Sequence, residues 1–221
     1  MAIEKKRIMK RYILLCEGID TVNFFLYYLN SSELADDKRF SNDIQALDFG
    51  GINNLSKYIL NLKNMEGFDN VNRIMIVRDA ETDADAAVKM IKNALLAAEL
   101  PIPCDCNEWT DNSDELKIAF TLMPSCSTNP VQGAIEDLCW NILRNNISEK
   151  MRKDVEDFVL KINNEYNSIG SHMHKSRLHT CFSINKDFIS FKIGEAAKAG
   201  AFDWKHSALI PLKALLKKGF E

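Results

Sequence analysis

Two apolar runs that end in acid constrain this chain more than any other feature. Ile13-Leu14-Leu15-Cys16 stops at Glu17-Gly18-Ile19-Asp20, and Ile74-Met75-Ile76-Val77 stops at Arg78-Asp79-Ala80-Glu81. Short apolar runs without polar alternation suit strands buried on both faces, as in a parallel sheet covered by helices. Open sheets of that kind bind ligands at the carboxyl ends of their strands, most often where the strand order reverses. Several carboxylates delivered to that edge suit a hard cation such as Mg²⁺, the usual companion of phosphate chemistry.

The rest of the chain supplies the other elements. Tyr12–Cys16 reads as the first strand, and Thr21–Leu29 carries a helical stripe of Phe24, Phe25, Tyr28 and Leu29. Ile44–Phe49 is a second strand, closed by Gly50-Gly51, and Ile52, Leu55, Ile59 and Leu62 mark one helix face. Val71–Val77 is the third strand. Thr82 and Asp85 have capping-box spacing ahead of a helix through Ala87, Met90, Ile91, Ala94 and Leu95. A long connection through Pro101-Ile102-Pro103 and Asp111-Asn112-Ser113-Asp114 leads to a fourth strand, Lys117–Met123, stopped by Pro124. This alternation predicts an α/β fold with a mainly parallel, four-stranded sheet.

From Pro130 onward the pattern turns helical. Asn129-Pro130 has the form of a helix start, followed by Ile135, Leu138, Cys139, Ile142 and Leu143 on one face. Val155, Phe158, Val159, Ile162 and Tyr166 form another stripe, and segments around 177–184, 187–197 and 206–216 complete an α-helical C-terminal part. The expected organisation is a core over residues 1–146 with a helical extension over 147–221 packed on it.

A chain of 221 residues with 46% apolar and 27% charged residues is long enough for one sizeable core. Its net charge of −3 argues against a strongly basic, DNA-coating domain but leaves room for a local cation that meets phosphate. Apolar runs are strand-sized, too short to span a membrane. The basic start (Lys5, Lys6, Arg7, Lys10, Arg11) precedes too short an apolar stretch for a signal peptide, so a cytoplasmic protein is expected. Six cysteines in such a protein read as free thiols. Cys104-Asp105-Cys106 lacks the second pair that a zinc site needs.

If the first and third strands are neighbours, about 4.8 Å apart, Glu17 and Asp79 come within reach of one shared ion. Asp79 and Glu81 point the same way if the strand continues through Glu81. Gly18 leaves the backbone open to a phosphate oxygen. Asp20 reads either as a ligand or as the N-cap of the first helix, and Asp79 and Glu81 also read as solvated acids before the next helix.

These residues resemble a family. Leu15-Cys16-Glu17-Gly18 with Asp20, followed by Asp79-Ala80-Glu81, looks like the Toprim domain of topoisomerases, bacterial primases and overcoming-lysogenization-defect nucleases. The second acid three residues after the glutamate is closer to the nuclease branch. The whole chain is also similar to a stand-alone bacterial family of Toprim-like proteins of unknown function, through Phe49-Gly50-Gly51, Arg78-Asp79-Ala80-Glu81 and Gly133-Ala134-Ile135-Glu136-Asp137-Leu138.

The resemblance implies a Rossmann-like Toprim core in which Glu17, Asp79 and Glu81 hold one Mg²⁺ or Mn²⁺. Asp20 and Glu136 complete a second site, and Lys175 stabilises charge on the phosphate. It implies hydrolysis of nucleic-acid phosphodiesters, DNA or RNA, and raises a partner ATPase by analogy with relatives in defence systems. The Toprim Asp-x-Asp is here Asp79-x-Glu81. Glu136 reads equally as a solvated neighbour of Asp137, and Lys186 and Lys205 compete with Lys175. The alternative is a non-catalytic Toprim-like module that binds a metal, nucleotide or partner. A phosphoacceptor receiver domain is disfavoured by Glu17-Gly18 after the first strand.

Other chemistries lack support. His172-Met173-His174 and His179 form no HExxH motif, and no phosphate loop, dinucleotide fingerprint or serine elbow is present. Lys213, Lys217 and Lys218 near Leu209, Leu212, Leu215 and Leu216 fit a surface helix with cations at its carboxyl end.

Overall fold

A computed structural model describes residues 7–34, 40, 42–111, 115–144 and 147–220. Lys5 and Lys6 of the basic start, and Asn112, Ser113 and Asp114 of the long connection, lie outside them. Four strands form one parallel sheet: β1 (Tyr12–Cys16), β2 (Ile44–Asp48), β3 (Arg73–Asp79) and β4 (Lys117–Met123), in the order β2-β1-β3-β4. The order reverses between β1 and β3, which are the two strands whose apolar runs end in acid.

Strand parity sorts the core into two layers. Ile13 and Leu15 of β1, Ile74 and Ile76 of β3, and Ile118, Phe120 and Leu122 of β4 point to one face. There they meet helices α2 (Leu55–Leu62) and α3 (Ala84–Ala97) through Leu55, Ile59, Leu62, Ile91 and Leu95. Leu14, Cys16, Met75, Val77, Ala119 and Met123 point to the other face. That face is covered by α1 (Ile19–Leu29) and the C-terminal helices α4 (Ile135–Asn141), α5 (Glu149–Tyr166), α6 (Met173–Ser183), α7 (Ile193–Lys198) and α8 (Ile210–Phe220). Phe24, Phe25 and Tyr28 of α1 are fully buried and pack on one another, and Phe24 and Tyr28 also meet Trp204 and Phe24 meets Phe202, at ring separations of 5.3–6.5 Å. Each such ring contributes about 1.5–3 kcal/mol through burial. The C-terminal helices therefore share one core with α1 and the sheet.

The open edge of β4 is partly covered. The 107–110 segment returns beside it, with Asn107 N–H donating to the Phe120 carbonyl (2.7 Å) and Thr110 N–H to that of Ile118 (2.8 Å). This satisfies backbone groups that would otherwise invite strand pairing. All six cysteines are free, and only Cys104 is exposed. Among the described residues no helix is long and apolar enough to cross a membrane.

Several local expectations are corrected. The helix expected from Pro130 begins at Ile135, because Gly133 pairs reciprocally with Glu81 and Ala134 becomes the N-cap. The cap of α3 is Asp83, whose side chain accepts from the Ala86 N–H at 2.9 Å, and not Thr82. On α5 only Val155 and Val159 are buried, while Phe158 and Tyr166 are exposed.

Candidate functional site

The carboxyl edge of β1 and β3 gathers the predicted acids, and parity explains how. The last paired level is Cys16 with Val77, so Glu17 and Arg78 stand at the next level. Glu17 shares the parity of Ile13 and Leu15, and Arg78 that of Ile74 and Ile76, so both lean toward the α2–α3 layer. Asp79 has the parity of Val77 and faces α4. Glu17 and Asp79 thus start on opposite faces, and the Glu17 carboxylate bridges them over the strand end. Its Oε2 accepts the Asp79 N–H at 3.1 Å and lies 3.7 Å from the Arg78 Nε.

Asp79 tethers the first turn of α4. Its Oδ1 accepts the Ile135 N–H at 2.9 Å, a charge-assisted bond to a helix N-terminus. This brings Glu136, the next residue, over the cluster. Glu136 is 7% exposed, and its Oε2 is buried without a hydrogen bond, while its Oε1 lies 4.0 Å from Lys175 Nζ on α6. Asp20 sits in the first turn of α1. The N-cap there is Gly18, not Asp20, and Asp20 Oδ1 is also buried without a hydrogen-bond partner. The buried Cys139 thiol, one turn along α4, is pushed well up by burial and further by Glu136, Asp79, Asp20 and Asp137. Those four carboxylates therefore all lie near enough to the thiol to act on it.

Glu81 takes a different route to the same edge. The strand does not persist to it: β3 ends at Asp79, and Glu81 adopts φ +54° within its bridge to Gly133. Its exposed side chain still acts on Glu17, Arg78 and Asp79. Among the competing lysines only Lys175 reaches the cluster. Lys205 acts on Glu33, beyond the far end of α1, and Lys186 is exposed in the turn after α6.

The electrostatics are those of crowded carboxylates. Burial pushes the Asp79 carboxyl well above the usual aspartate range, with Glu17, Glu136 and Glu81 adding to the effect and the Ile135 N–H opposing it. Burial likewise raises Glu17, against the Asp79 N–H and Arg78. Among the described residues no three histidine, cysteine, aspartate or glutamate side chains already form a cation cage. His172 and His174, with ring centroids 6.4 Å apart, belong to no such group.

Two arginines had no role in the sequence reading. Arg78 is 2% exposed and donates from Nη1 to the Ala87 carbonyl of α3 at 3.2 Å. Its signal was a cation inside an otherwise apolar strand end. Arg177 bonds Asp137 (2.8 Å) and Glu156 (3.2 Å) and stacks over Trp140 at 4.8 Å, joining α4, α5 and α6. Nothing local in the sequence marks it.

The model of the family described as "Protein of unknown function (DUF3226)" matches residues 11–221, and the chain belongs to that family. Two solved structures of the C-terminal region of the OLD protein from Xanthomonas campestris pv. campestris are similar along nearly the whole chain. One is 13% identical, covering 96% of each chain at a TM-score of 0.42. The other is 14% identical, covering 95% of this chain and 98% of that one at 0.35. No curated protein matches.

Proposed function

We propose that this member of the DUF3226 family is a divalent-cation-dependent phosphodiesterase acting on nucleic acid, as its resemblance to Toprim nucleases implies. The observation that carries the reading is the set of carboxylates at the β1–β3 edge, two of which hold buried oxygens without hydrogen-bond partners. A buried, unpaired carboxylate oxygen is costly, and crowding several together is more so. A divalent cation offsets both, and oxygen donors suit Mg²⁺ or Mn²⁺. In this reading Glu17, Asp79 and Glu81 hold one cation, Asp20 and Glu136 help to hold a second, and Lys175 faces the phosphate. The bound metal supplies an activated water and a counter-charge for the leaving oxygen. The residues themselves orient the site: Asp79 fixes the α4 N-terminus, and Gly18 leaves open backbone beside Glu17.

A second reading is favoured by one observation. Glu17 is engaged by the Asp79 N–H and by Arg78, and the cage is not preformed, which suits a regulatory or partner-binding module. Purified protein incubated with supercoiled plasmid and with single-stranded DNA and RNA, in Mg²⁺ and then Mn²⁺, separates the two. Cleavage that requires metal and disappears in Glu17→Gln supports the phosphodiesterase. Absence of cleavage on every substrate, by a protein that still binds Mn²⁺, supports the module, with the partner ATPase as the next component to add.

A further inference from the structure

We propose that Arg78 is a built-in counter-cation for Glu17 when no metal is bound, so that a divalent cation competes with it for that carboxylate. This rests on the metal-binding reading above. Arg78 is 2% exposed, so its charge has almost no help from water. A hydrogen bond from Nη1 to the Ala87 carbonyl anchors the guanidinium to α3, while Nε makes no hydrogen bond and lies 3.7 Å from Glu17 Oε2. Strong arginine–carboxylate pairs are frequently bidentate, with two parallel N–H donors on one carboxylate. Here the approach is a single, long one, and the fork is fixed on the far side by a carbonyl oxygen. Arg78 thus faces Glu17 closely enough to balance its charge and too loosely to lock its rotamer.

The neighbourhood explains why such a cation is needed. Glu17, Glu81 and Asp79 all act on Arg78, and Lys175, the other cation at this edge, is half-exposed and adjoins Glu136. Without Arg78, Glu17 would face Asp79 and Glu81 with the half-exposed Lys175 acting against them. With it, the fold tolerates the cluster empty. A divalent ion held by Glu17 and Asp79 would bring two positive charges toward Arg78, so the two cations would oppose each other. The arginine therefore stabilises the empty site at the cost of affinity for the metal.

The test combines a double-mutant cycle with metal binding. Melting temperatures in a chelator are measured for wild type, Arg78→Gln, Glu17→Gln and the double variant. Arg78→Gln retains an amide donor for the Ala87 carbonyl, and Arg78→Met serves as a second neutral variant if the first does not fold. Loss of the charge is expected to lower the melting temperature in the wild-type background and much less in the Glu17→Gln background. Mn²⁺ affinity, followed by calorimetry and by the electron paramagnetic resonance of the ion, is expected to tighten about tenfold on removing the charge. Arg78→Lys should return it toward the wild-type value. Additive melting losses overturn the ion pair, and an unchanged or weaker Mn²⁺ affinity overturns the competition. If neither wild type nor Arg78→Gln binds Mn²⁺ while the melting cycle shows coupling, the metal-binding reading falls and takes the competition with it.

Discussion

Asp79→Asn is expected to stabilise the metal-free protein, although it removes a charged residue from a helix N-terminus. Asparagine is isosteric, and its carbonyl oxygen can still accept the Ile135 N–H that Asp79 Oδ1 accepts at 2.9 Å. What disappears is a desolvated charge repelled by Glu17, Glu136 and Glu81. Two like charges about 5–6 Å apart at an effective dielectric of about 20 repel by about 3 kcal/mol. Arg78 and the charge-assisted bond to Ile135 offset part of this, and protonation of Asp79 caps the penalty. The net gain is therefore about 1–2 kcal/mol at pH 8. For a chain of this size that corresponds to about 2–8 °C in melting temperature.

The sign with pH follows from linkage. A carboxyl raised on folding contributes its stability fully below its unfolded pKa and loses it as pH rises through the folded value. Wild type should thus lose stability from Asp79 and Glu17 as pH rises above the ordinary carboxylate range. The advantage of Asp79→Asn should shrink toward zero as the pH falls into that range. Urea denaturation in a chelator at several pH values reads this directly. A variant that is destabilised at pH 8, or whose advantage is independent of pH, would refute the crowding argument.

Other consequences are simpler. Arg177→Ala should cost about 1–3 kcal/mol, since it breaks bonds to Asp137 and Glu156 and the stacking on Trp140; the urea midpoint measures it, and a neutral result would remove the clamp between α4, α5 and α6. Gly133→Ala should destabilise by about 1–3 kcal/mol, because φ is +132° and a Cβ would lie 2.6 Å from Asp137 Oδ2 and 3.1 Å from Pro124; thermal melting tests it. Ile76→Ala, at a fully buried position in the centre of β3, should cost about 2–5 kcal/mol without altering Mn²⁺ binding by the folded fraction. A Mn²⁺ concentration of about 100 times Kd should raise wild-type stability by about 2.7 kcal/mol, a gain that Glu17→Gln should lose.

The sheet was legible because hydropathy and strand length coincide in it. Lys117–Met123 is bounded as the sequence suggested, and β1 and β3 pair as neighbours. The third strand shifted to Arg73–Asp79 because charged residues at both ends take part in the ladder, which an apolar run does not disclose. Pro130 misled because a proline with favourable helix-start chemistry was overridden by a tertiary bridge, Glu81 to Gly133, between segments 52 residues apart. The acids of β1 and β3 were visible as strand ends. The approach of Lys175 to Glu136 was not, since it depends on how α6 packs against α4. Strand parity sets Glu17 and Asp79 on opposite faces, so their meeting through a backbone N–H depends on how the Glu17 side chain turns over the strand end.

The most direct test of the central claim is anomalous diffraction from crystals of the protein soaked in Mn²⁺. The account predicts a peak at the β1–β3 edge within coordination distance, about 2.2 Å, of carboxylate oxygens from Glu17, Asp79 and at least one of Glu81, Asp20 and Glu136. Well-ordered crystals with no peak there, or with Mn²⁺ held only elsewhere, would contradict it.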